Sequence, residues 1–265
     1  MNRSSLALAA TLAAAVPFSL QAAGDPARLD VLPGWRTDRG TVIAAIRIQL
    51  DPGWKTYWRT PGDAGIPPQF SWAGSSNLAS VALHWPIPET FGSNGYTSIG
   101  YHDQLILPIE LTPRDPARPI GLRGQADIGV CADICVPFSS GFSANLAADA
   151  GRRDARIVAN LAARPISARA AQVSAVHCDL TAQDGQYALR ADVTMPSAGR
   201  DEHAVIELPG QPVWVSQAET ARSGDTLSAT VEIVPEPGKT LMLDRSKVRI
   251  TVLAGRNAVD IRGCS

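Results

Sequence analysis

The 265-residue sequence is poor in cysteine, with four, and in aromatics, at 6%. It also has no concentrated positive charge: 24 lysines and arginines face 25 aspartates and glutamates, and no basic cluster extends over more than a few residues. A nucleic-acid groove or an anionic-membrane patch needs such a field, so no nucleic-acid partner is expected. Long apolar runs are missing as well. After Leu20 every one is cut by a charge or a proline, and a bilayer-spanning helix needs roughly 20 apolar residues.

The first residues have a different character. Arg3, the apolar stretch Leu6 to Leu20 and the small residues Ala22 and Ala23 read as a cleavable signal peptide over 1–23. The mature chain is expected to be exported and soluble.

Beyond the signal, the hydrophobic pattern is that of strands and turns. Thr41 to Leu50 alternates, with Val42, Ala44, Ile46, Ile48 and Leu50 on one face and Arg47 and Gln49 on the other. Leu105, Leu107, Ile109 and Leu111 repeat this between Gln104 and Leu111, and shorter strands are expected at Gln69–Trp72, Val81–Trp85, Ile120–Val130 and Ser140–Leu146. Asp51-Pro52-Gly53, Pro61-Gly62-Asp63 and Pro67-Pro68 supply turns. The spacing suits an antiparallel sandwich over 24–147. Asp154 can then cap a short helix carrying Ile157, Val158 and Leu161 on one side, ended by Pro165, and this places a helical linker over 148–170. From 171 to 265 the chain is again β, with strands at Gln172–Leu180, Gln186–Met195, His203–Leu208, Pro212–Gln217, Thr226–Val234 and Val248–Leu253. The fold class is all-β, two tandem sandwiches.

Four cysteines in an exported chain are normally paired, and spacing favours Cys131 with Cys135 and Cys178 with Cys264. The second bridge closes a loop of about 87 residues, which gives roughly 4–5 kcal/mol and reads as a structural staple. The first closes a loop of about five and gives only about 2 kcal/mol. A bridge that stabilises so little suits a bond that is made and broken. Two other readings stay open for it: an inert hairpin staple, and a dithiol that holds Cu(I). Zinc lacks a second Cys or His pair, and His84 and His102 read as packed or surface residues. Asp133, between the thiols, is expected to raise their pKa values, so that a docked partner is needed to activate them.

The string Gly53-Trp54-Lys55-Thr56-Tyr57-Trp58-Arg59-Thr60-Pro61-Gly62-Asp63-Ala64-Gly65 resembles the signature of the N-terminal periplasmic domain of the DsbD/ScsB thiol:disulfide interchange proteins. Trp85-Pro86-Ile87-Pro88, Gly95-Tyr96 and Cys131-x-x-x-Cys135-Val136-Pro137 follow in the family's order. The resemblance covers Trp35 to Leu146. It implies an immunoglobulin-like sandwich in the periplasm whose Cys131 and Cys135 are catalytic, with no cofactor beyond the disulfide. Cys135 would attack or be attacked by the partner, and Cys131 would resolve. Phe91 and Tyr96 would belong to an aromatic cap loop within Phe91–Gly100, and Asp133 and Pro137 to the site rim. Implied partners are a thioredoxin-like oxidoreductase or disulfide isomerase and, since no membrane helices follow, a membrane-embedded electron donor on a separate chain. Roles in copper tolerance or cytochrome maturation are part of the same implication. The sequence departs from the family at Lys55, where His is common, and at Phe138, where Glu is common. Trp54, Tyr57 and Trp58 read as packing around the site.

Overall fold

The computed structural model describes residues 25–93, 96–148, 151–183 and 185–265; the signal peptide expected at 1–23 and Gly95 of the family-like motif lie outside them. Ten strands make up the first half: β1 (Ala27–Arg36), β2 (Val42–Leu50), β3 (Lys55–Gly62), β4 (Gln69–Ser71), β5 (Leu78–Leu83), β6 (Glu89–Ser93), β7 (Tyr96–His102), β8 (Gln104–Pro113), β9 (Ile120–Cys131) and β10 (Cys135–Leu146). They form two facing sheets, ordered β1-β2-β8-β5 and β10-β9-β3-β7-β6, with β4 on the far part of β9. Alternation places Ala44, Ile46 and Ile48 of β2 and Leu105, Leu107 and Ile109 of β8 in one core, where they meet Trp58, Ile99, Leu122 and Val130 of the other sheet.

Helix α1 (Ala155–Ala162) follows, its N-terminus capped by the Asp154 carboxylate, which accepts from the Arg156 amide. It is no free hinge. Ile157 is fully buried against Leu32, Ile43, Ala45 and Ile106, with Leu161 beside it, on the outer face of β1-β2-β8. This corrects two expectations. Strand β2 is buried on both faces near its start, because Ile43 and Ala45 lie under the helix. Val158 does not share the buried side but is 41% exposed, since the stripe that fits the sheet is the i, i+4 pair Ile157 and Leu161.

The second half contains β11 (Ile166–Ser167), β12 (Ala175–Gln183), β13 (Gln186–Thr194), β14 (His203–Glu207), β15 (Val213–Val215), β16 (Glu219–Ser223), β17 (Thr226–Pro235), β18 (Arg249–Ala254) and β19 (Asn257–Arg262). Its sheets are ordered β11-β19-β18-β14 and β12-β13-β17-β15, with β16 also on β17. Cys178 of β12 is bonded to Cys264, with Cα atoms 5.7 Å apart. The bond links a strand of one sheet to Cys264, two residues past the last strand of the other. Backbone bonds from the Cys178 amide to Ser265 and from the Ser265 amide to Val176 continue the attachment.

The two sandwiches touch. Val205, Leu253 and Ala258 of the second belong to the core cluster of the first. Beside them the Arg59 guanidinium donates to both oxygens of Glu207 on β14 (2.9 and 2.9 Å for its closest contacts) and to Thr251 Oγ1 at 3.0 Å, and Thr60 Oγ1 donates to Glu207 at 3.0 Å. Arg59 also lies 3.6 Å from the Trp58 ring centre. The signature string therefore supplies an inter-sandwich clamp as well as packing.

Candidate functional site

The site is built on the β9–β10 hairpin. Cys131 ends β9, Cys135 begins β10, and the two are register partners across a loop of Ala132, Asp133 and Ile134. That loop is closed by the Ala132 amide donating to the Ile134 carbonyl at 3.1 Å. The sulfurs are bonded, with Cα atoms 4.1 Å apart. Strand β10 lies at the sheet edge, where Pro137, lacking an N–H, is tolerated.

The two sulfurs have unequal surroundings. Cys131 is 1% exposed, whereas Cys135 is exposed together with Asp133, Ile134 and Pro137. Beneath them lies Tyr57, itself 2% exposed. Its hydroxyl donates to Cys131 Sγ at 2.9 Å and sits 3.4 Å from Cys135 Sγ. Burial holds the phenol above its ordinary pKa, so it stays protonated and able to donate. Tyr57 is the functional side chain that the sequence reading assigned to packing alone. No local signal marked it, because the pairing of its strand with Cys131 joins distant parts of the chain.

Strand β3 reaches the cysteines because it pairs with β9 only at Lys55–Cys131 and Thr56–Val130. The Thr56 hydroxyl secures that crossing by donating to the Gly129 carbonyl at 2.9 Å. Beyond it, β4 takes over the edge of β9, pairing Gln69 with Asp127, and β3 continues toward the Arg59–Glu207 clamp. Gly100, opposite Tyr57, is required by the close strand approach: a Cβ there would meet the Thr56 carbonyl at 2.1 Å.

The segment expected as a cap loop is a hairpin, β6 and β7. Asn94 and Gly95 between them lie outside the described residues. Phe91 does not stand alone: its ring is 4.8 Å from His102 and 5.1 Å from the Lys55 ammonium. Tyr96 is 60% exposed. His102 Nδ1–H donates to the Glu89 carboxylate at 2.9 Å, and His84 Nε2–H to that of Glu110 at 3.1 Å. Phe138, where the family commonly has Glu, is 9% exposed and part of the core.

Among the described residues no group of three or more His, Cys, Asp or Glu side chains is arranged to hold a metal ion, and no helix is long and apolar enough to cross a membrane.

Comparison with known proteins agrees with this architecture. Residues 28–147 match the family described as thiol:disulfide interchange protein DsbD, N-terminal. The crystal structure of the N-terminal periplasmic domain of ScsB from Proteus mirabilis superposes with a TM-score of 0.62 at 24% identity, covering 89% of this chain and 90% of that one. Such coverage extends past the first sandwich into the second, and the likeness is one of fold. No curated protein sequence matches the chain. Residues 28–147, with the Tyr57 signature strand and the bonded Cys131–Cys135 hairpin, are thus similar to the N-terminal domain of the thiol:disulfide interchange protein DsbD.

Proposed function

We propose that this chain is an exported, periplasmic electron carrier that exchanges the Cys131–Cys135 disulfide with a thioredoxin-like partner protein. The observation that carries the proposal is the asymmetry of the bridge: Cys135 is open to solvent, while Cys131 is buried against the Tyr57 hydroxyl. A partner thiolate attacks Cys135, and a mixed disulfide forms there as the bond to Cys131 breaks. The electron pair leaves on Cys131, toward which Tyr57 already directs a hydrogen bond. A leaving thiolate stabilised in this way departs faster. The reverse sequence, with Cys131 resolving the mixed disulfide, regenerates the bridge. Asp133 and Pro137, exposed beside Cys135, form the rim that a partner meets, and Phe91 bounds the site through Lys55.

In this reading residues 1–23 are the signal peptide and 24–147 the redox domain. Residues 148–170 are the linker, and 171–265 a second domain held by its own bridge. The electron donor is a membrane-embedded protein on another chain, and the recipient an exported oxidoreductase or isomerase. Cys131→Ser leaves the exposed sulfur free and is expected to trap a mixed disulfide with a thioredoxin-like protein, whereas Cys135→Ser is expected to trap far less. A redox titration gives the decisive number. A potential nearer −200 mV supports exchange, and one below about −300 mV would make the bridge a staple. One equivalent of Cu(I) bound by the reduced protein and lost in Cys131→Ser, without any trapped partner, would favour the copper reading instead.

A further inference from the structure

Lys55 occupies an unusual place. It is the direct register partner of Cys131 on one side and of His102 on the other, so the three side chains share one face of the sheet. Its ammonium rests 5.1 Å from the centre of the Phe91 ring, on the side away from the cysteines. Adjacent strands are only about 4.8 Å apart, so a four-carbon stem can carry the ammonium from the ring back to Cys131.

We propose that Lys55 is a positioning residue that moves from the Phe91 ring to the Cys131 sulfur when that sulfur becomes a thiolate. This deepens the exchange reading and rests on it. When a partner dithiol supplies the electrons, its thiolate bonds to Cys135 Sγ, the Cys131–Cys135 bond breaks, and the electron pair departs on Cys131 Sγ. No net charge lies at Cys131 before this step, and a cation beside it finds its best contact on the face of an aromatic ring. Afterwards a buried negative charge stands next to Lys55, and the attraction across this half-buried face exceeds what the ring offers. The charged and titratable groups that bear on Cys131 come from four elements. They are Lys55 and Tyr57 on β3, His102 on β7, Glu89 on β6, and Asp133 in the cysteine loop. Glu89 is engaged with His102 at 2.9 Å, and Tyr57 contributes a neutral donor. Lys55 is thus the cation placed to offset Asp133.

The experiment uses the full chain with Cys135→Ser, which leaves Cys131 as the one free thiol while Cys178–Cys264 stays bonded. Its titration is followed by ultraviolet thiolate absorbance. Lys55→Met, which keeps the apolar stem, is expected to raise the Cys131 midpoint by about one pH unit, and Lys55→Arg to restore most of it. Phe91→Leu, which removes the competing ring, is expected to lower the midpoint. A Lys55→Met midpoint equal to its parent's would overturn the proposal, and an unmoved midpoint in Phe91→Leu would overturn the transfer from the ring. Reduction of the chain with all four cysteines by dithiothreitol separates the two levels. A bridge that resists reduction defeats the exchange reading itself, whereas a bridge that opens readily while Lys55→Met titrates normally defeats only the role of Lys55.

Discussion

The two disulfides of this chain are the same bond in opposite settings. Cys178 and Cys264 lie 86 residues apart in sequence, and their bond ties the C-terminal tail to β12 with backbone bonds on either side. Cys131 and Cys135 are four apart and face each other across a hairpin that the β9–β10 ladder would hold together anyway. The difference teaches that a bridge placed where the backbone already does the holding is free to serve chemistry. Its exposure is asymmetric, and the Tyr57 hydroxyl lies against its buried sulfur.

The largest effect that tests this contrast comes from deleting each bridge. Replacing Cys178 and Cys264 by alanine is expected to lower unfolding free energy by about 4–5 kcal/mol, against about 2 kcal/mol or less for Cys131 and Cys135. Urea unfolding of the two variants measures the gap, and equal losses would erase the distinction. Next in size is the clamp between the sandwiches. Arg59 and Glu207 side chains are 13% and 16% exposed, so Glu207→Ala leaves a guanidinium largely buried without its partner, costing about 3 kcal/mol. The same urea curves should then resolve the halves into separate transitions, with the stapled second half unfolding on its own.

A smaller effect belongs to the reactive bridge alone. Tyr57→Phe keeps the packing and removes the hydroxyl 2.9 Å from Cys131. Reduction by dithiothreitol is expected to slow about tenfold, the equivalent of one hydrogen bond to a charged sulfur, with thermal stability nearly unchanged. The smallest effect is a pH dependence confined to the first half. The Arg164 guanidinium, which only donates, lies 3.0 Å from His84 Nδ1, so that nitrogen accepts and Nε2–H donates to Glu110. Burial pushes the His84 pKa below its ordinary value, outweighing the pull of Glu110. The unfolded chain therefore binds the proton more readily. Stability from neutral His84 is present above about pH 6.5 and is lost as pH falls from there through the folded value. Thermal unfolding from pH 8 to 5 should show the loss, and His84→Gln should flatten it.

The strand alternation of Val42 to Leu50 and Gln104 to Leu111 was legible because period two is a local property and both strands border the core on one face. Strands β1, β3, β6, β7, β11, β16 and β19 were not anticipated, since mixed apolar and polar residues there acquire strand structure from their ladder partners. Val158 misled for a related reason: a helix alone does not show how wide a stripe its sheet will cover. At the site, the short Cys131-to-Cys135 spacing was readable, whereas Tyr57 read as one more core aromatic.

The alternating strands β2 and β8 and the division of four cysteines into one tight and one wide bridge were determined by the sequence itself, because periodicity and loop length act along the chain. Which sulfur meets water and which hydroxyl meets the other were decided by tertiary structure alone. Tyr57 and Cys131 are 74 positions apart, and only the two-residue crossing of β3 over β9 brings them within a hydrogen bond.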